Sequence, residues 1–229
     1  MRRFILLCFC LVAALPGIRS FAAESGMVGV ATDYVWRGRS ESRHRPALQG
    51  EFDWWDQSDY AGMWISTVDF GDRVTFVEVD PYVGTSFDLD GTAVILGLGA
   101  TVYPVQPAHA DDNDIEAKIG VKRDWGPASL SLSAYQRIDL HETGTRVSLD
   151  VGASQYYEAI GTCDLDAAWR ASLTLADRIG GTGYLQATAT LQYAVDDHLG
   201  LLLSYAATSR PQIDASYRPT LALSVRVTL

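Results

Sequence analysis

The sequence predicts an all-β protein, an antiparallel up-and-down transmembrane β-barrel of twelve strands. Three observations predict it. Apolar and polar side chains alternate with a period of two, short and longer connections alternate between those stretches, and aromatic residues crowd the stretch ends. Successive side chains of a strand point to opposite faces, so each stretch carries one apolar and one polar face.

The chain opens on Met1-Arg2-Arg3, runs apolar from Phe4 to Leu15 and breaks at Pro16-Gly17. Ser20-Phe21-Ala22 then places small residues where a signal peptidase needs them. This is the layout of a secretory signal peptide, because the apolar run is too short to span a bilayer. Residues 1–22 are expected to leave, with Ala23 as the neighbouring cut, so that 23–229 form one barrel domain. Arg2, Arg3 and Arg19 leave with them, taking the 18 basic residues to 15 against 28 acidic ones. Cys8 and Cys10 leave too, so Cys163 has no partner for an internal disulfide; it falls on the apolar face as a small apolar residue.

Twelve strands are expected at about 27–37, 46–56, 60–69, 75–87, 92–103, 114–124, 128–138, 155–165, 169–178, 183–195, 199–208 and 220–229. The clearest alternation is Leu221, Leu223, Val225, Val227 and Leu229 against Ala222, Ser224, Arg226 and Thr228. Residues 145–153 alternate as well (Val147, Leu149, Val151) and read as part of a strand protruding beyond the membrane, which leaves ten or fourteen strands open. Tight clusters such as Asp88-Leu89-Asp90-Gly91 and Asp124-Trp125-Gly126-Pro127 mark one end of the strands, and mostly longer segments mark the other. Short periplasmic turns facing longer outer loops are the pattern of outer-membrane barrels.

A soluble sandwich or lipocalin-like barrel shares the alternation, with its faces reversed. Three features favour the membrane. The strand ends carry Tyr34, Trp36, Trp54, Trp55, Tyr60, Tyr103, Trp125, Tyr156, Tyr157, Trp169, Tyr184, Tyr193 and Tyr205, which read as interfacial girdles. The apolar face uses many alanines, among them Ala117, Ala134, Ala159 and Ala187, which would fill a soluble core poorly. The last strand runs to the final residue.

Composition removes other classes. Disorder is excluded by 48% hydrophobic and 10% aromatic residues. A net charge of −10 argues against nucleic acid as a partner. No long apolar run beyond the first twenty or so residues leaves room for a helical membrane bundle.

Thr32-Asp33-Tyr34-Val35-Trp36-Arg37-Gly38-Arg39-Ser40, followed by Pro46-Ala47-Leu48-Gln49-Gly50, resembles the first hairpin of a Gram-negative family of TorF-type porins. Tyr60-Ala61-Gly62-Met63-Trp64, Val68-Asp69-Phe70 and Glu78-Val79-Asp80-Pro81-Tyr82 fit its following strands. The resemblance implies an outer-membrane barrel with a pore role and no assigned substrate. Two positions depart from the pattern: Glu41 stands where the family often has Gln, and Leu229 where a terminal aromatic is usual. The second departure bears on recognition by the barrel-assembly machinery.

With the apolar face outward, the lumen receives Asp33, Gln49, Glu51, Asp53, Glu78 and Asp80 from the early strands. Later strands add Glu116, Lys118, Lys122, Arg137, Glu158, Asp164, Arg170, Arg178 and Arg226. A charge facing lipid at mid-membrane costs about 2–4 kcal/mol for Arg or Lys, so these residues belong inside. Acids dominate the first third and bases the remainder, which predicts opposed walls around a narrow pore for small polar solutes. The competing expectation is a network of paired charges that plugs the barrel.

Outer-membrane lipid and lipopolysaccharide are the expected surroundings, and no cofactor, metal or oligomeric state is indicated. A structural or adhesive role of the outer loops ranks below the pore, and an enzyme, which in such a barrel would be a lipid hydrolase, is not expected. Ser40, Glu41 and His44 lie together in the first outer loop as a nominal nucleophile, acid and base, but no motif fixes their geometry. The acidic run His109 to Asp114 lacks the spacing of a Ca²⁺ loop.

Overall fold

The computed structural model describes residues 23–107, 113–143 and 146–229, with the backbone alone at 139–143, 146–150 and 153. The expected signal peptide, residues 109–112 of the acidic run and the side chain of His141 lie outside the described residues.

The alternating stretches pair edge to edge into a closed barrel. Its strands are β1 (Ala23–Ala31), β4 (Ala47–Asp56), β5 (Asp59–Thr67), β6 (Val77–Leu89), β7 (Thr92–Thr101) and β8 (Asp114–Trp125), followed by β9 (Ala128–Thr143), β10 (Arg146–Asp164), β11 (Trp169–Ile179), β12 (Tyr184–Ala194), β13 (Leu199–Thr208) and β14 (Thr220–Thr228). Two short strands inside the first connection, β2 (Val35–Trp36) and β3 (Arg39–Ser40), pair only with each other. All barrel neighbours are antiparallel, and β1 closes the cylinder on β14 from Met27↔Thr228 to Ala31↔Ser224. Closure pairs every barrel strand on both sides, which a bilayer requires because lipid offers no hydrogen-bond partners. Each of the barrel strands has at least 9 residues, enough to cross the hydrocarbon core at a tilt.

The faces settle between membrane and soluble barrels. Val30, Leu48, Ile119, Leu132, Leu185, Leu221 and Leu223 are exposed on the outside, while Gln49, Ser66, Glu78, Ser133, Gln186 and Thr220 are buried inside. A soluble barrel would bury the first set and wet the second.

Pro81 sits within β6. It has no N–H to donate, and the β6–β7 ladder is interrupted there, between the Val79↔Val102 bridge and Tyr82↔Gly99. The β9–β10 hairpin runs past the neighbouring strands, with a register shift between Val151 and Gln155, so residues 146–153 of the alternating stretch belong to a protruding strand as its pattern suggests.

The first strand differs from its expected span of 27–37. It ends at Ala31, and Thr32 donates its N–H to the Leu223 carbonyl before the chain leaves the wall. Asp33 then takes hydrogen bonds from the Ser40 and Ser42 hydroxyls at 2.6 and 2.8 Å, which a strand continuing along the wall could not supply. Arg37 and Gly38, with φ of 49° and 76°, make the tight reversal between β2 and β3. Residues 32–46 thus form a strap folded into the barrel instead of an outer loop.

Candidate functional site

The strap is positioned by side chains from strands far apart in the sequence. At its start, the Tyr34 hydroxyl donates to Glu78 on β6 at 2.6 Å, and Tyr103 donates to the other oxygen of the same carboxylate at 2.7 Å. Glu78 is 3% exposed, and the two phenols give each oxygen of its buried carboxyl group a hydrogen-bond partner. Around this contact Tyr34, Ala47, Val68 and Tyr103 pack as a small core with Trp64. Burial first, and then the fields of Glu78 and Asp80, push the Tyr34 hydroxyl well above the usual phenol range, so it stays a donor.

The strap then passes on to β8, two strands round the barrel from β6. Arg37 forms a two-pronged ion pair with Glu116 on β8, at 2.7 and 2.6 Å. Its guanidinium lies 4.1 Å from the Tyr156 ring centroid, 4.9 Å from that of Tyr135 and 5.3 Å from that of Trp36. Burial alone would lower the basicity of this group, but the bond to Glu116 outweighs it, and Arg37 remains a cation. The Tyr184 hydroxyl holds the Arg37 carbonyl at 2.9 Å. Gly38 fits here because a Cβ would meet Gln186 Cγ and Thr208 Cγ2 at 2.9 Å, on top of its positive φ.

On its return the strap folds on itself. Arg39 pairs with Glu41 in two-pronged fashion at 2.8 and 2.7 Å. Burial raises the Glu41 carboxyl above its ordinary range, and Arg39 offsets only part of that rise. Arg45 reaches Asp69 at 2.9 Å, and His44 bridges Asp33 and the Ala215 carbonyl at 2.8 Å each.

Two cavities flank this crosspiece. One of about 800 Å³ lies against β4–β8 and β13–β14, lined in part by Gln49, Glu51, Tyr60, Trp64, Asp80, Tyr82, Lys118 and Arg226. The other, about 560 Å³, is lined in part by Arg39, Glu41, Phe70, Tyr103, Arg137 and Arg178. The two linings share Trp36, Arg37, Thr101, Asp114 and Glu116, so the volumes meet where Arg37 grips the wall.

The larger cavity stays open because of glycines. Tyr82 lies over Gly62 and Tyr60 over Gly84, so closely that a Cβ at either glycine would overlap the ring. The rings therefore lie flat along the wall. Tyr82 donates to Asp53 and to Glu51, the latter at 3.1 Å.

The candidate lumen residues from the sequence are placed as follows. Glu51 and Asp53 stand on β4, Glu78 and Asp80 on β6, Glu116, Lys118 and Lys122 on β8, Arg137 on β9, Arg170 on β11 and Arg226 on β14. Glu51, Asp80, Glu116, Lys118 and Arg226 share the larger cavity. Lys122 and Arg170 lie toward the tight turns, paired with Asp124 and Asp164. Arg137 approaches Asp114 at 3.6 Å. Asp33 is not on a strand, and no acid from β5 joins the set, so the early acids occupy β4, β6 and the strap.

Part of the expected aromatic girdle also belongs inside. Tyr34, Tyr103, Tyr156 and Tyr184 are buried, each with its hydroxyl on a polar partner. Tyr60 lines the cavity. Trp125, Tyr157, Trp169 and Tyr205 are exposed, as girdle residues should be. Position in the two-residue period decides this, as the neighbours Tyr156 and Tyr157 illustrate. Sequence reasoning missed Arg37, the centre of the arrangement; its signal was a dense polar turn around Gly38 where an outer loop was expected.

Ser40, Glu41 and His44 do not assemble as a nucleophile, acid and base. The Ser40 hydroxyl donates to Asp33, Glu41 is engaged by Arg39, and the far ring nitrogen of His44 faces a backbone carbonyl. Among the described residues no group of His, Cys, Asp and Glu is arranged to hold a metal ion.

A family model described as a bacterial protein of unknown function (Gcw_chp) matches residues 19–139, more than half of the chain. No curated protein matches the sequence. Among solved structures the chain is similar to the NanC porin, at 12% identity and a TM-score of 0.55 over 90% of this chain and 98% of that one. It is similar to an outer membrane channel from Pseudomonas putida F1 at 9% identity and a TM-score of 0.55, over 92% and 96%. It is similar also to outer membrane phospholipase A from Escherichia coli at 11% identity and a TM-score of 0.51, over 91% and 93%. At such identities the likeness is one of fold.

Proposed function

The chain belongs to the Gcw_chp family of bacterial proteins of unknown function, and from that premise we propose that it is an outer-membrane porin of the TorF type. It is exported through a cleaved signal peptide, inserted by the barrel-assembly machinery and surrounded by outer-membrane lipid and lipopolysaccharide. Its narrow lumen passes small polar or charged solutes, needs no cofactor and carries out no catalysis. The observation that carries this reading is the pair of cavities joined at Arg37 inside a closed barrel whose outer face is apolar.

The lumen charges shape the passage. Glu51, Asp53, Glu78 and Asp80 form its acidic side, and none of them makes a salt bridge among the described residues. Lys118, Lys122, Arg137 and Arg170 form the basic side, with Asp33 and Glu116 at the strap and Arg226 near Glu51. A competing reading, a plugged structural barrel, is favoured by the two-pronged Arg37–Glu116 bond between the cavities.

Refolded protein in a planar bilayer separates the two. The porin reading expects discrete conductance steps, and reversal potentials that shift toward anions when Glu51, Asp53 and Asp80 are neutralised together. Neutralising the four bases should shift them toward cations. Both shifts should shrink at 1 M salt, where the Debye length falls to about 3 Å. A barrel without conductance is a plug, and unchanged selectivity in a conducting barrel removes the charged walls from the passage.

A further inference from the structure

His44 makes two hydrogen bonds that together fix its charge. One ring nitrogen lies 2.8 Å from the Asp33 carboxylate and the other 2.8 Å from the Ala215 carbonyl oxygen. Neither partner has a proton to give, so both ring nitrogens must carry one. A neutral ring would turn a lone pair toward one of two oxygens. From this geometry we infer that the His44 imidazolium is a clasp that ties the strap to the β13–β14 loop and opens when the ring loses its second proton.

The loop has anchors besides His44, on the wall and, through Tyr217, on Arg39 of the strap. Tyr217 of the loop is buried, its ring 5.3 Å edge-on from that of Tyr184, and Thr208 donates to its carbonyl at 3.1 Å. Opening the clasp therefore loosens the loop over the strap without unfolding it.

The charged groups around His44 are accounted for on each side. From the strap, Asp33 faces the ring, Arg39 is engaged by Glu41, and Arg43 and Arg45 are turned toward Asp69. From the β13–β14 loop, Arg218 opposes the ring's charge, and Asp214 is occupied by Ser216. From β14, Thr220 offers a neutral hydroxyl at 3.4 Å. The Ala215 carbonyl and then Asp33 outweigh burial and Arg218, and they hold the ring above its ordinary value. The sign follows. The clasp is fully formed below the ordinary histidine value of about 6.5 and is lost as the pH rises through the higher folded value.

The test is hydrogen exchange of residues 209–219 in the refolded barrel, wild type against His44→Gln at equal pH, so that intrinsic exchange rates cancel. At about pH 6 the wild-type loop should exchange several-fold more slowly than the variant, and near pH 9 the two should converge. A ratio that is the same at both pH values overturns the clasp. An NMR titration of the wild-type ring, which needs no variant, should give a value above about 6.5. A ring titrating at or below that value overturns the inference as well. Neither readout needs conduction, so a silent barrel with a pH-dependent loop would refute the porin and keep the clasp.

Discussion

The wall and the strap of this barrel are assembled from contacts of different range. Each wall strand after β1 bonds to the one that follows it across a turn or loop, with only β1 and β14 meeting from opposite ends of the chain. The strap, by contrast, is held by partners 44, 79, 147 and 171 positions away: Tyr34 on Glu78, Arg37 on Glu116, Tyr184 on Arg37 and His44 on Ala215. The wall is stabilised by which face meets lipid, the strap by which polar groups meet each other. That difference says where a substitution should unfold the molecule and where it should only reopen the lumen.

The largest effect belongs to the wall. Leu132 and Leu223 are exposed on the outer face, whereas Ser131 and Thr188 alternate onto the inner one. Arg at Leu132 or Leu223 should cost about 2–4 kcal/mol near mid-membrane and impair folding into vesicles, scored as loss of the heat-modifiable band on gels. Arg at Ser131 or Thr188 should fold. Equal behaviour of the two pairs would break the assignment of faces.

Within the strap, Glu78→Ala removes the acceptor shared by Tyr34 and Tyr103. Each phenol left without a partner costs about 1–3 kcal/mol if it stays dry, and less once water enters the lumen. The barrel should still fold while the strap loosens, seen as faster hydrogen exchange confined to residues 32–46. Exchange that rises uniformly around the wall would mean that the strap is part of the wall's own stability.

These two regions were unequally legible. Twelve strands, their turns and the inner or outer placement of residues such as Gln49, Leu132 and Leu223 follow from a period of two that any window of sequence displays. The strap has no such local signature. Asp33 and Tyr34 continue the alternation of β1, and nothing nearby announces that Ser40, Ser42 and His44 will gather on Asp33 and draw the chain inward. Tyr156 and Tyr184 stand on the inward step of the period, but their partners Gln186 and Arg37 are distant in sequence, so the sequence does not show what holds their hydroxyls there. The polar site was visible as a set of charges, but the way they pair was not.

The smallest effect on stability is expected at the glycine-lined side of the larger cavity. Gly62→Ala would overlap the outer end of the Tyr82 ring, which can swing away at about 0.5–1.5 kcal/mol of rotamer strain. Melting should hardly change, while the displaced ring narrows the lumen and lowers conductance. Unchanged conductance would place the solute path away from β5 and β6.

The central claim is that the strap stands in the solute path. Arg37→Cys in a Cys163→Ser background, refolded from residues 23–229 alone, gives a barrel whose single thiol lies where the two cavities meet. Current through single channels should rise relative to the Cys163→Ser parent, because the Glu116 crosspiece is gone, and then fall stepwise when a charged methanethiosulfonate reagent modifies the thiol. A conductance equal to the parent's and indifferent to the reagent would contradict the account.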